Sequence, residues 1–431
     1  MAPLINRNTR TYAWIVVALL WIVGMLNYMD RQMLSTMRES IMIDISELEF
    51  AANFGRLMAV FLWVYGIMSP FSGIIGDRIS RKWVIVSALF VWSFVTFMMG
   101  YATSFSQLYI LRGIMGVSEA LYMPAALSLI ADYHRERTRS LAIGINMTGI
   151  YFGQAMGGFG ATLAVMYGWH GTFHSFGLIG IAYSVVLMFL LYDTPRHIGV
   201  VKTEEKKRLP VFKGMAMLLA NISFWVILFY FCVPSVPGWA TKNWLPSLFA
   251  SSLGIDMEVA GPIATISIAV SSFAGVLLGG FISDRWVMRN VRGRIYTAAI
   301  GLSLMIPALL CIGYGYTLLP VVAGAVLFGV GFGFFDANNM PIVCQFVSSR
   351  SRATAYGIMN MCSVFAGAAV TDLLGRSMDT GNLGRDFAML SILVTFTIIV
   401  ILTCLRPTTV DMSDSDASSS TADSSGCRQH A

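Results

Sequence analysis

Charge is what this chain has least of: only 12% of its 431 residues are Asp, Glu, Lys or Arg, where soluble chains carry about 25%. With 56% apolar residues beside them, a soluble globular enzyme is excluded. Catalytic signatures are missing too, for no HExxH, GxSxG or Walker pattern occurs. The five histidines (His134, His170, His174, His197 and His430) fall in loops, near span ends or in the tail. His170 and His174 stand at i and i+4 but lack a third ligand, so neither metal nor cofactor is expected. Six cysteines (Cys232, Cys311, Cys344, Cys362, Cys404 and Cys427) show no CxxC or Cys/His spacing and read as packing residues. The net charge is +6, yet the cations are scattered over short loops rather than gathered in one patch, so nucleic acid is not the expected partner.

What the chain has in abundance is long apolar runs. A hydrocarbon core of about 30 Å needs about 20 helical residues, and cutting at the polar gaps gives twelve segments. They lie near 12–37, 54–76, 83–102, 106–131, 139–165, 170–192, 215–249, 259–282, 295–314, 317–346, 353–375 and 385–405. The first run is longer than a signal-peptide core and has no small-residue cleavage site, so it reads as a retained span. Lys and Arg concentrate in alternate gaps, as at Arg78, Arg81 and Lys82, at Arg135, Arg137 and Arg139, and at Arg285, Arg289, Arg292 and Arg294. By the positive-inside rule both termini are then cytoplasmic, in a multi-pass protein of the cell (inner) membrane. The expected organisation is an all-α membrane protein with an N-terminal six-helix bundle (1–192), a charged cytoplasmic linker (193–213), a C-terminal six-helix bundle (214–406) and a disordered cytoplasmic tail (407–431).

The two halves echo each other. Gly73-Ile-Ile-Gly-Asp77-Arg78-Ile-Ser-Arg81-Lys82 follows the second span and Gly279-Gly-Phe-Ile-Ser-Asp284-Arg285-Trp-Val-Met-Arg289 the eighth, with the aspartates 207 residues apart. Two parallel repeats would produce that spacing. This sequence resembles the major facilitator superfamily over residues 12 to 406, through the Gly-x-x-x-Asp-Arg-x-x-Arg-Lys loop of that family. The resemblance implies twelve helices in two pseudo-symmetric bundles. It makes Asp77, Arg78, Arg81, Lys82, Asp284 and Arg285 candidates for conformational gating; the bland alternative is that the cations only set topology. In span five, Gly149-Ile-Tyr-Phe-Gly153-Gln-Ala-Met-Gly157-Gly158-Phe-Gly160 resembles the family's glycine-rich motif, which lets helix backbones approach closely. The proline often found there is absent, which favours symport or uniport over antiport.

Ionisable residues at bilayer depth are costly unless paired or hydrated, so each is a functional candidate. Span one carries Asn27-Tyr28-Met29-Asp30-Arg31-Gln32, and span four carries Arg112 and Glu119 seven residues apart, on one helix face. Counted from the span ends, Asp30 lies about 24 Å and Arg112 about 21 Å from the cytoplasmic boundary, while Glu119 lies roughly 10 Å from it. A guanidinium matches a carboxylate bidentately, which suits Arg31 or Arg112 to an anionic group. Asp30 and Glu119 are candidates for carrying protons. A buried network that merely ties spans one and four together is the alternative.

Asp-Arg in span one with Arg and Glu seven apart in span four, followed by Pro124-Ala and Ile130-Ala-Asp132, is similar to the anion:cation symporter family of proton-coupled hexonate and hexuronate carriers. Spinster-type carriers share much of the set. The resemblance implies proton sites at Asp30 and Glu119 and anion-binding or gating roles for Arg31 and Arg112. Span seven, Cys232-Val-Pro-Ser-Val-Pro-Gly-Trp239-Ala-Thr-Lys242-Asn243-Trp244-Leu-Pro246, is predicted to break at Pro234, Pro237 and Gly238 and line a cavity. Lys242 is read as either a carboxylate ligand or a snorkelling residue, and Trp244 as part of the interfacial belt. Tyr28, Tyr65, Gln154, Trp239, Asn243, Asp336, Asn339 and Asn360 complete the candidate substrate contacts. The expected activity is proton-coupled symport of a small organic anion such as a sugar acid, by alternating access, with the lipid bilayer as surroundings. A carrier of a lipid-like amphiphile, or a facilitator of a neutral sugar, is the alternative. A monomer is the expected unit, since one chain supplies both halves.

Overall fold

The computed structural model describes residues 10–134, 136–193, 218–347, 352–407 and 409–411. The expected linker and tail fall almost wholly outside these residues, as do the side chains of residues 73–78, Asp77 and Arg78 among them. Among the described residues twelve long helices carry the chain: α1 (Arg10–Thr36), α2 (Ala51–Arg78), α3 (Arg81–Met99), α4 (Phe105–Tyr133), α5 (Glu136–Gly157) and α6 (Gly160–Leu190), then α7 (Ile222–Leu253), α8 (Met257–Val287), α9 (Gly293–Tyr314), α10 (Leu318–Phe346), α11 (Arg352–Asp379) and α12 (Leu383–Cys404). Among the described residues eleven of them are long and apolar enough to cross a membrane. The exception is α5, which has the length but carries Asn146, fully buried, and Gln154 into the interior. This is a multi-pass membrane protein.

Local chemistry sets the helix ends. The Ser80 and Ser104 side chains accept the backbone N–H of Trp83 and Gln107 at the starts of α3 and α4, and Asn221 accepts that of Ser223 at the start of α7. Gly254 closes α7 in a left-handed conformation, φ +62°, which costs a residue without Cβ nothing. The expected gap at 165–170 holds a break at Gly168, φ +71°. The fifth helix, however, ends earlier than expected, at Gly157, and a short helical piece from Gly160 precedes the break, after which the sixth span proper runs on to Leu190.

Packing repeats with a period of six helices. α1 packs on α5, α2 on α4, α3 on α4 and α3 on α6, and the same pairings recur as α7 on α11, α8 on α10, α9 on α10 and α9 on α12. The halves meet through α2 on α11 and α5 on α8, which exchange under the same shift, and through α1 on α7. Close approaches between these helices are made at glycine. A Cβ on Gly153 would collide with the Met25 carbonyl oxygen, and one on Gly158 would lie 2.9 Å from that of Gly261 across the halves. Large apolar side chains such as Leu178, Leu277 and Ile392 point outward, while Asp30, Arg112 and Glu119 are buried inside. That arrangement suits hydrocarbon surroundings.

Of the cysteines expected to pack, Cys232 and Cys362 are half-buried against the core and Cys344 is half-buried. Cys311 and Cys404 are exposed, because a helix in lipid gains little by burying a small apolar side chain. Cys427 lies outside the described residues.

Candidate functional site

The centre of the molecule is built on the last third of α1 and the middle of α4. Arg31 donates from Nε to Glu119 Oε2 at 2.5 Å, so the two groups meet although counting from the span ends sets Glu119 below the other charges. The long guanidinium stem spans the offset between the two backbones. Its Cζ lies 5.0, 4.7 and 4.9 Å from the ring centres of Tyr28, Phe61 and Tyr65. Cation and ring quadrupoles attract, most strongly where water is excluded. Asp30, 7% exposed, sits behind this pair with its Oδ2 accepting from Thr96 Oγ1 of α3 at 3.3 Å. Arg112 is 3% exposed, lies 4.8 Å from the Phe61 ring and donates to Met115 Sδ. Its Nε is buried without a hydrogen-bond partner among the described residues. A charged group left so is expensive unless a ligand completes it.

Between the two halves lies a cavity lined by Tyr28, Arg31, Arg112 and Gln154 from the first half and by Trp239, Lys242 and Asn243 from the second. A smaller one adjoins it and shares Gln32, Gln154 and Lys242. Lys242 does not snorkel. Its Nζ stands over the Trp239 and Phe332 rings, at 5.1 and 5.7 Å, with no carboxylate in ion-pair range among the described residues.

α7 does not break at Pro234, Pro237 and Gly238. It runs unbroken from Ile222 to Leu253 with three prolines inside. Within it Ser235 Oγ donates to Phe231 O at 2.6 Å and Thr241 Oγ1 to Pro237 O at 2.9 Å, back-bonds one turn along the same helix. Trp244 is not in an interfacial belt. It is fully buried and donates from Nε1 to Thr371 O of α11 at 3.0 Å.

Other candidates stand off the cavity wall. Asp336 accepts from Asn339 Nδ2 at 3.3 Å within α10. Asn360 bonds Ser69 Oγ of α2 across the halves at 3.1 Å. Tyr65 serves the Arg31 cage. Of the gating candidates, Arg81 pairs with Asp132 and donates to Ser128 O, both in α4. Lys82 stands over the Tyr192 and Trp83 rings. Asp284 forms no ion pair among the described residues, and Arg285 stacks on Phe281 at 3.9 Å.

Phe61, Thr96 and Gln32 are the residues that sequence reasoning missed. Phe61 and Thr96 sit in apolar runs with no local signal, whereas Gln32, directly after Arg31 at bilayer depth, carried one.

The Major Facilitator Superfamily model matches residues 20–371. The Escherichia coli (strain K12) protein named "Probable L-galactonate transporter" is 24% identical over 88% of this chain and 86% of its own length. The "Hexuronate transporter" of Bacillus subtilis (strain 168) is 24% identical over 91% of this chain and 94% of its own. Among solved structures, a bacterial homolog of the human lysosomal transporter Spinster, inward-facing and unoccupied, superposes with a TM-score of 0.72 at 20% identity. That match covers 91% of this chain and 95% of that one.

Proposed function

The chain belongs to the Major Facilitator Superfamily, and on that premise we propose that it is a proton-coupled symporter of a carboxylated sugar, working by alternating access. It is a transporter and not an enzyme. The observation that carries the reading is the buried Arg112, its Nε unpartnered, on the wall of a cavity that Arg31 and Lys242 share. Three cations drawn from both halves suit a small anion that must be held while the halves move. Asn243, Gln154 and Tyr28 supply polar groups for hydroxyls, and Trp239 a face for the carbon skeleton.

Charge balance gives the coupling. Asp30, Glu119 and Asp336 offset Arg31, Arg112 and Lys242, so the ionised cluster carries no net charge. Each proton taken by Asp30 or Glu119 leaves one cation in excess. Protonating Glu119 also releases Arg31, which cannot present Nε to both Glu119 and a substrate carboxylate. Protons therefore enter before the anion, and loss of the anion lets Glu119 recapture Arg31 and expel its proton.

In this reading residues 1–192 and 214–406 rock as two bundles of a monomer, joined by 193–213, with both termini cytoplasmic in the cell membrane. Asp77, Arg78, Arg81, Lys82, Asp284 and Arg285 act on the cytoplasmic gate. Tyr65 holds Arg31, while Asp336, Asn339 and Asn360 support the second-half wall.

The test is proton flux in proteoliposomes carrying an internal pH dye. Hexonates, hexuronates, neutral sugars and lysolipid are added in turn. Internal acidification with one carboxylated sugar, absent in Glu119→Gln, is expected. Neutral sugar or lysolipid entering with no acidification by any acid refutes the proposal.

A further inference from the structure

Pro246 has no N–H, so the carbonyl four residues before it, Lys242 O, has no partner in the ladder of α7. The partner comes from the other half of the molecule. Gln32 Nε2 of α1 donates to Lys242 O at 2.9 Å, and its second proton goes to Ser35 Oγ at 2.7 Å. Both donors are thereby committed, which fixes the amide orientation. No donor among the described residues bonds Gln32 Oε1, and the side chain lines both cavities.

Beyond this bond, towards the ends of α1 and α7 away from the chain termini, the halves are packed tightly. Thr36 is 1% exposed, and a Cβ on Gly261 would meet its Cγ2 at 3.0 Å. Asp379 of α11 accepts from the Ala51 and Ala52 N–H groups at 2.7 and 2.9 Å, capping α2 across the halves. The Gln32 bond lies where cavity and seal meet.

We infer that Gln32 is a positioning residue, a latch that holds α1 to the proline-vacated carbonyl of α7 and so favours the state closed on the face away from the termini. A proline in place of any other residue at 246 creates the vacancy, and a side chain from the opposite bundle fills it. The latch rests on the alternating-access reading above but not on the identity of the cargo. When α1 and α7 separate on that face, Lys242 O loses its donor, and this loss opposes opening.

The experiment uses the full chain without native cysteines, with Thr36→Cys as reporter, labelled by a membrane-impermeant maleimide from the face away from the termini, without substrate or gradient. Gln32→Met keeps volume and removes the donor. One hydrogen bond corresponds to about a 2- to 12-fold rise in labelling rate. Pro246→Ala restores the helical N–H, and in that background Gln32→Met is expected to change the rate by less than about 1.5-fold. An equal effect in both backgrounds overturns the latch, because Gln32 would then act through something other than the vacated carbonyl. No labelling in any variant overturns the alternating-access reading and the latch with it. A failure of the sugar-acid reading alone shows in the flux assay and leaves this ratio untouched.

Discussion

Replacing Glu119 by glutamine is expected to tighten substrate binding while abolishing accumulation. Glu119 is an internal competitor. Its Oε2 occupies Arg31 Nε at 2.5 Å, in a site where Glu119 is 1% exposed. A substrate carboxylate must break that bond, and a hydrogen bond between charged groups is worth about 1.5–3 kcal/mol net. The amide of the Glu119→Gln variant keeps a neutral acceptor worth about 0.5–1.5 kcal/mol. The difference, about 1–1.5 kcal/mol, corresponds to about a 5- to 12-fold lower Kd near neutral pH. In the parent protein Kd is expected to fall as pH falls, because protonating Glu119 helps free Arg31, and the variant loses this contribution. Titration calorimetry with a hexonate on purified protein, at two pH values, reads both effects. An unchanged or weaker Kd in the variant would refute the competition and with it the proposed order of proton and anion.

Three further outcomes follow from the packing. Trp244→Ala, at a fully buried indole bonded to Thr371 O, is expected to cost about 3–5 kcal/mol in detergent unfolding, where a tryptophan at the membrane surface would cost little. Gly153→Ala drives a Cβ into the Met25 carbonyl and is expected to lose about 1–3 kcal/mol, while Gly144→Ala, with nothing within 4 Å, leaves the melting temperature unchanged or slightly raised. Asp379→Ala removes the cap on α2 supplied by α11. A loss of about 0.5–2 kcal/mol is expected, read as about 2- to 30-fold faster labelling of the Thr36→Cys reporter.

The twelve-helix plan was legible because hydrocarbon imposes a minimum apolar length, and the repeat because Asp77 and Asp284 recur with similar neighbours. Arg31, Arg112 and Glu119 were legible because charge at depth has few structural excuses. Misreadings arose where one residue type serves two roles. Prolines in α7 read as breaks because the local rule knows nothing of side chains from other helices, such as Gln32, which meets the carbonyl vacated by Pro246. Trp244 read as a belt residue because the sequence places it near a span end. Its burial depends on α11, over a hundred residues away. Cys311 and Cys404, which are exposed, read as packing residues because burial statistics from water-soluble proteins do not carry into lipid.

From the sequence alone, composition, apolar run length and the echoing loop motifs indicated that this protein spans a membrane, that it has two related halves and that charge at bilayer depth falls on a few residues. Those properties are additive along the chain and need no knowledge of what touches what. Tertiary structure decided the pairings: that Arg31 takes Glu119 while Arg112 is left with an open donor, that Lys242 turns inward, and that Gln32 rather than the helix itself completes the carbonyl at Pro246. Each of these depends on which helix faces which across the two halves, a matter of packing that no local spacing encodes.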